Sequence, residues 1–177
     1  MPMTMQLPFP DLSRIRLLLV DVDGVLTDGG LYYFAEQDFA LRFHVRDGLG
    51  LRRAVEAGII GGVVSGRSSP QVRRRAEELG LEEIHLAVRD KGAVVREILE
   101  RREIAGEQAC FIGDDVVDLP AMALVGLPVA VADAVTEVRR AARLVTRASG
   151  GQGAVREVID LLLAERRNAD HPRESQP

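Results

Sequence analysis

Short apolar runs punctuate this chain, with polar-faced segments between them. Ile15 to Val20 is apolar except for Arg16, which predicts a strand covered on both faces. Ile59 to Val64, Ile84 to Val88, Ala109 to Ile112, Pro128 to Val131 and Arg143 to Thr146 predict further strands. Between them lie predicted helices over Gly48–Ala57, from Pro70 to Leu79 and from Asp90 to Arg101. Gly58 and Gly80 stop the first two, Ser69 and Pro70 start the second, and Asp90 caps the third. A short helix after Asp118 ends before Gly126, and another spans Val135 to Ala141. After the loop ASGGQG, an amphipathic helix from Ala154 to Arg166 closes the chain. The segment from Gly29 to Val45 alternates partly and predicts a hairpin with Glu36-Gln37-Asp38 near its turn.

Strands alternating with helices across short links predict a parallel sheet with helices on both faces. The expected architecture is a three-layer, Rossmann-like α/β fold with a small β-hairpin after the first strand. One domain over residues 1–167 is expected, with the hairpin insert at about 29–45. The tail, residues 168–177, has little to bury and is expected to be disordered.

Composition narrows the classes. Aromatics are 4% of the 177 residues, so the core must be mostly Val, Leu, Ile and Ala. A net charge of -4 argues against a nucleic-acid partner. One cysteine excludes a disulfide framework or a thiolate metal cluster within the chain, and Cys110 reads as a small buried hydrophobe. His44, His85 and His171 lack metal-ligand spacing. Gly61-Gly62 lie in a strand pattern, away from any dinucleotide-binding loop. The N-terminus lacks a signal pattern, and no apolar run reaches the roughly 20 residues of a membrane span. A soluble cytoplasmic protein, without a membrane partner, is expected.

Open α/β sheets bind ligands beyond the carboxyl ends of their strands. Those ends here carry Asp21, Asp23, Thr27 and Asp28; then Ser65-Gly66-Arg67; then Asp90-Lys91; then Asp114-Asp115, with Asp118 beyond. Carboxylates gathered at one point raise each other's pKa unless a cation neutralises them. Mg²⁺, a hard ion with oxygen ligands, fits such a set. Ser65, nearby backbone N–H groups and Lys91 suit phosphoryl oxygens. Phosphoryl transfer to an aspartate needs one carboxylate to attack and another to move a proton. Asp21, nearest the rigid strand, is the expected nucleophile, and Asp23, beyond the bend, the expected acid/base.

DVDGVLTDG, VVSGR, Lys91 and GDDVVD together resemble, in order and spacing, the four motifs of haloacid dehalogenase-type hydrolases. The closer resemblance is to the small-cap branch, the phosphatases of 3-deoxy-D-manno-octulosonate 8-phosphate. DVDGVLTDGG, VRDGLGLRRA, SGRSS, GDDVVDLPAM, VGLPVAVADA and VTRASGGQGAVREV carry it. The resemblance implies an aspartyl-phosphate on Asp21 and Mg²⁺ held by Asp21, Asp114 and the backbone carbonyl of Asp23. It implies that Asp115 and Asp118 support the metal's waters or Lys91, and that Ser65 and Gly66 contact phosphate. Arg67 is assigned to the substrate carboxylate from its charge and position, and Asp28 to substrate contact. The hairpin takes the place of a cap domain, and hairpins of a homotetramer pack together. The Gly150–Gly153 segment is expected to approach an adjacent subunit's site. The chain departs from the pattern at Leu86-Ala87, where the family often has Gln-Gly; Arg89 adds charge nearby.

Some residues have a plain structural alternative. Asp47 and Asp118 suit helix caps, Thr27 and Asp28 suit turns, and Arg67 suits a surface salt bridge. Tyr32, Tyr33, Phe34, Phe39 and Phe43 concentrate the aromatics in the hairpin, to be buried by other subunits or by the chain's own core. The rival functions are a phosphoacceptor signalling module, an inactive scaffold, and a phosphatase for a nine-carbon sialic-type sugar acid 9-phosphate. A signalling module would need an acceptor Asp after a middle strand, and Gly61 to Ser65 offers none.

Overall fold

A computed structural model describes residues 10–35 and 37–170. β1 (Leu17–Val20) is wholly buried and opens the sheet. The hairpin strands β2 (Tyr32–Phe34) and β3 (Gln37–Ala40) follow. Then come α1 (Val45–Glu56), β4 (Ile60–Val64), α2 (Pro70–Glu78), β5 (Glu83–His85) and α3 (Lys91–Arg102). The second half contains β6 (Ala109–Gly113), α4 (Leu119–Met122), β7 (Leu127–Ala130), α5 (Thr136–Ala141), β8 (Leu144–Val145) and α6 (Ala154–Asp170).

The main sheet has six parallel strands in the order β5-β4-β1-β6-β7-β8. Leaving β1, the chain winds first toward β5 and then back toward β8, so α1 and α6 pack together on one face and α3 packs with α4 on the other. This is the expected α/β architecture, with the hairpin as a separate two-stranded antiparallel sheet and no cap. Both faces of the central strands are covered, which explains their unbroken apolar runs: every residue of β1, β6 and β7 is buried. The order reverses between β1 and β6, where a crevice opens beyond their carboxyl ends.

Several boundaries differ from expectation. α1 starts at Val45 rather than Gly48, because His44 Nδ1 accepts the Arg46 N–H and caps it. β5 ends at His85, and the strand expected to continue to Val88 instead turns through Ala87 at φ +57. α6 extends past Arg166 to Asp170, so part of the expected tail is helical; residues 171–177 lie outside the described residues. Of Glu36-Gln37-Asp38, expected near the hairpin turn, Glu36 also lies outside them, and Gln37 and Asp38 belong to β3. Among the described residues, no helix is long and apolar enough to cross a membrane.

Candidate active site

β1 delivers Asp21 to the crevice, and the chain then leaves the strand direction in a wide turn through Val22–Leu26. Gly24 makes that turn possible at φ +83, and a Cβ there would overlap the Asp114 carboxylate. Thr27 closes it from inside. Its fully buried hydroxyl donates to the Val22 carbonyl and accepts from the Gly24 and Gly29 N–H groups. The turn-forming reading of Thr27 is thereby the one its contacts express.

Lys91, at the start of α3, reaches back under this turn. Its buried Nζ lies 2.8 Å from Asp21 Oδ1 and 2.6 Å from Asp118 Oδ1. Asp21 Oδ1 also accepts the Val22 N–H at 2.6 Å. These contacts engage Oδ1 and leave Oδ2 outside them. By its position Asp118 suits a cap for the helix after it. It makes no such bond; instead its Oδ2 accepts the N–H groups of Asp114 and Asp115, at 2.9 and 3.3 Å. It therefore joins the loop after β6 to Lys91. Asp115 caps the short turn Val116–Asp118 with its own carboxylate.

A cleft of about 580 Å³ opens over these groups. Asp21, Asp23, Gly66, Arg67, Lys91, Asp114 and Asp115 all line it, drawn together from four strand ends. Arg67 Nε pairs with Asp23 Oδ2 at 3.3 Å, and its guanidinium lies 5.7 Å from the Phe39 ring centre. Three expected residues stand apart from the lining, Asp118 among them. Ser65 is buried below it, its hydroxyl accepting the Arg67 N–H at 3.2 Å. Asp28 pairs with Arg42 at 3.1 Å and accepts the Gly30 N–H, as a turn residue would. Val88, Arg89 and Val117 also line the cleft. The apolar pair was not anticipated, because no chemistry of its own marks a valine in a motif.

The carboxylates of Asp21, Asp114 and Asp118 each bring an oxygen within 4.8 Å of the others. Buried Asp114 Oδ1 and Asp23 Oδ1 have no hydrogen-bond partner. An all-oxygen set with orphaned acceptors fits a hard divalent cation.

Comparison with known proteins decides the lineage. A model of haloacid dehalogenase-like hydrolases matches residues 83–159. The 3-deoxy-D-manno-octulosonate 8-phosphate phosphatase of Haemophilus influenzae is 43% identical over 152 residues, 86% of this chain and 84% of that protein. The chain belongs to the haloacid dehalogenase-like hydrolases. Among solved structures, the phosphatase of the same name from Moraxella catarrhalis, in complex with magnesium, phosphate and KDO, superposes with a TM-score of 0.87. It is 37% identical, covering 90% of this chain and 92% of that one. A cobalt-bound form of the Haemophilus influenzae phosphatase gives 0.85 at 40% identity, covering 94% and 97%.

Electrostatics in this haloacid dehalogenase-like site follow from crowding. Burial, then the Asp118 charge, pushes the Asp21 carboxyl above its usual range, against the pull of Lys91. Asp114 is pushed up to about 8, by burial first and then by Asp21, Asp118 and Asp115. Burial pulls the Lys91 pKa down, but Asp21 and Asp118 outweigh it and keep the ammonium charged. Such a site holds excess negative charge that a bound cation relieves, and Mg²⁺ or a related divalent ion is the cofactor these groups suit. Gly150 and Gly151 press against the chain's own turn at Gly24 and Thr27.

Proposed function

We propose that this chain is a Mg²⁺-dependent phosphoric monoester hydrolase that removes phosphate from 3-deoxy-D-manno-octulosonate 8-phosphate. The observation that carries the reading is the Asp21 carboxylate, gripped through Oδ1 by Lys91 and the Val22 N–H, beside Asp114 in the cleft. The named activity of the relatives supplies the sugar.

In the proposed reaction Asp21 Oδ2 attacks phosphorus. The bond from phosphorus to the sugar oxygen breaks, and Asp23 gives that oxygen a proton. Water then attacks the aspartyl-phosphate as Asp23 takes its proton. The bond between phosphorus and Asp21 breaks, and inorganic phosphate leaves. Lys91 stays protonated throughout and faces the negative charge on the phosphoryl group. Mg²⁺, held by Asp21 and Asp114 with the Asp23 carbonyl, would supply further positive charge at the phosphoryl oxygens. Asp118 keeps Lys91 and the Asp114 loop in place. The Gly66 N–H and the Ser65 hydroxyl are the groups this loop has left for phosphate, since the Ser65 N–H is held by the His85 carbonyl. Arg67 meets the sugar carboxylate, which exchanges the Arg67–Asp23 pair for an Arg67–substrate pair and leaves Asp23 to its proton.

The same reading takes in a cytoplasmic setting, which suits the buried free thiol of Cys110. It also takes in a homotetramer joined through the hairpins. Tyr32, Tyr33 and Phe34 stand exposed instead of packing on the chain's own core.

Phosphate release across a panel of sugar phosphates tests the substrate. The eight-carbon acid phosphate should be turned over at least ten times more efficiently than hexose phosphates. Equal efficiency removes the assignment, and a preference for a nine-carbon acid 9-phosphate transfers it to that sugar. Asp21→Asn should abolish turnover and leave the fold intact.

A further inference from the structure

The loop ahead of α6 is fastened at three places, and one of them is a buried carboxylate far from it in sequence. Gly150 donates its N–H to Asp133 Oδ1 at 2.9 Å. Gly151 donates to the Val25 carbonyl at 2.9 Å, inside the turn that follows Asp21. A Cβ at Gly150 would overlap the Gly24 carbonyl oxygen, so loop and turn are in direct backbone contact. Beyond them, Asp47 accepts the Gly153 N–H at 3.2 Å through Oδ2 and the Arg156 N–H at 2.8 Å through Oδ1.

Asp47 belongs to the first turn of α1, whose own cap is His44. It is 1% exposed, yet its carboxylate serves another helix. Burial pushes its pKa up, and the N–H groups of Arg156 and Gly153 pull against that. A carboxylate at the N-terminus of α6 is well placed for that helix's dipole and unpaired donors. It fixes where α6 begins, and hence where the Gly150–Gly153 loop meets the turn.

We propose that Asp47 is a positioning residue for the reaction, acting through this loop on the turn between Asp21 and Asp23. The proposal rests on the reading that Asp21 and Asp23 do the chemistry. That turn has an irregular backbone held internally by Thr27, so its outer face needs a rigid support. Misplacing a reacting group by about 1 Å can cost on the order of a hundredfold in rate.

The test compares wild type, Asp47→Asn, Asp47→Ala and Gly150→Ala, with Mg²⁺ and p-nitrophenyl phosphate as a simple phosphomonoester. Asn keeps one acceptor and Ala none. The expected loss in kcat is about fivefold for Asn and thirtyfold or more for Ala and for Gly150→Ala, with KM within threefold of wild type. Amide exchange should quicken at residues 22–28 and 150–156, while β4 and β6 keep wild-type protection. A folded Asp47→Ala with kcat within twofold of wild type overturns the proposal. So does a loss confined to KM, or quickened exchange spread evenly over the molecule. If Asp47→Ala fails to fold, Asp47→Asn decides by the same criteria; failure of both to fold overturns a positioning role in favour of a purely structural one. If wild type itself does not hydrolyse phosphomonoesters, the catalytic reading fails, and the exchange pattern alone decides whether Asp47 fixes the turn.

Discussion

Asp114 sits with its carboxyl pushed up to about 8, by burial first and then by the acids around it. Below that pH the cation-free protein holds a proton there, and binding Mg²⁺ must expel it. At pH 7, Mg²⁺ binding should therefore release close to one proton per chain, falling toward zero as pH rises well past 8. Calorimetry in buffers of different ionisation enthalpy reads this directly, and Asp114→Asn should remove most of it. No release at pH 7 in wild type would show that Asp114 carries no proton for the ion to expel. The acids themselves were legible in the sequence, because charge at the end of a buried strand has few other uses. Their partners were less so. Asp118 and Asp47 both look like caps of the helices beside them, but each turns to backbone N–H groups elsewhere, and only the fold reveals which donors lie within reach. Ala87 shows another limit. Its φ of +57 cannot be read from an alanine, although a glycine is what the resemblance leads one to expect there. Left-handed backbone costs a non-glycine residue about 1–2 kcal/mol. Ala87→Gly recovers that and loses about 0.4–1 kcal/mol through a freer unfolded chain. A net gain of about 0.5 kcal/mol is expected, raising Tm by about 1–2 °C by calorimetry; a lower Tm would mean that the strain is absent.

At the scale of elements, caps and stops such as Ser69, Gly80 and Asp90 marked helices among α1 to α6, and apolar patterning located the strands of the main sheet, because strands buried on both faces must read as apolar runs. It failed at the ends, where single side chains decide. β5 is the clearest case, since it begins with a charged residue that no burial pattern predicts. Glu83 is nearly sequestered in this edge strand and accepts from Arg101 and Arg102 in the last turn of α3, with His85 alongside. Burial pushes its carboxyl up. The hydrogen bonds from Arg101, His85 and Arg102 overcome that and hold it at about 2 instead of 4.5. A depressed folded pKa contributes stability that is fully present above the unfolded value and is lost as pH falls through the folded one. Because Arg101 is half-exposed and screened, the contribution is on the order of 2 kcal/mol. Urea unfolding should show Glu83→Gln less stable than wild type by that amount near neutrality. The difference should shrink between about pH 4.5 and pH 2. A gap that stays constant over that range would mean that packing, not charge, joins β5 to α3.

At the scale of the whole molecule, the large aromatic side chains exposed among the described residues stand on the hairpin, where Tyr33 is 74% exposed and Tyr32 and Phe34 are each 55% exposed. An isolated two-stranded hairpin is marginal in water, and among the described residues Phe39 ties this one to the body. The Phe39 carbonyl accepts from Gln71 on α2, and the Arg67 guanidinium lies over the Phe39 ring. Burying rings of this size contributes about 1.5–3 kcal/mol each. If the hairpins pair between chains, Tyr33→Ser with Phe34→Ser should remove several kcal/mol per chain and convert a tetramer to monomers at micromolar concentration by sedimentation velocity. Val145→Ser, on the edge strand β8, should leave the assembly unchanged. The double variant should also raise KM more than it lowers kcat. Tyr33 stacks near Phe39, their ring centres 6.3 Å apart, and Phe39 in turn backs Arg67, whereas Asp21 and Lys91 are fixed by the main sheet and α3. A variant that stays tetrameric would place the interface elsewhere. One that turns monomeric with KM unchanged would show that the hairpin serves assembly alone and that Arg67 needs no help from it.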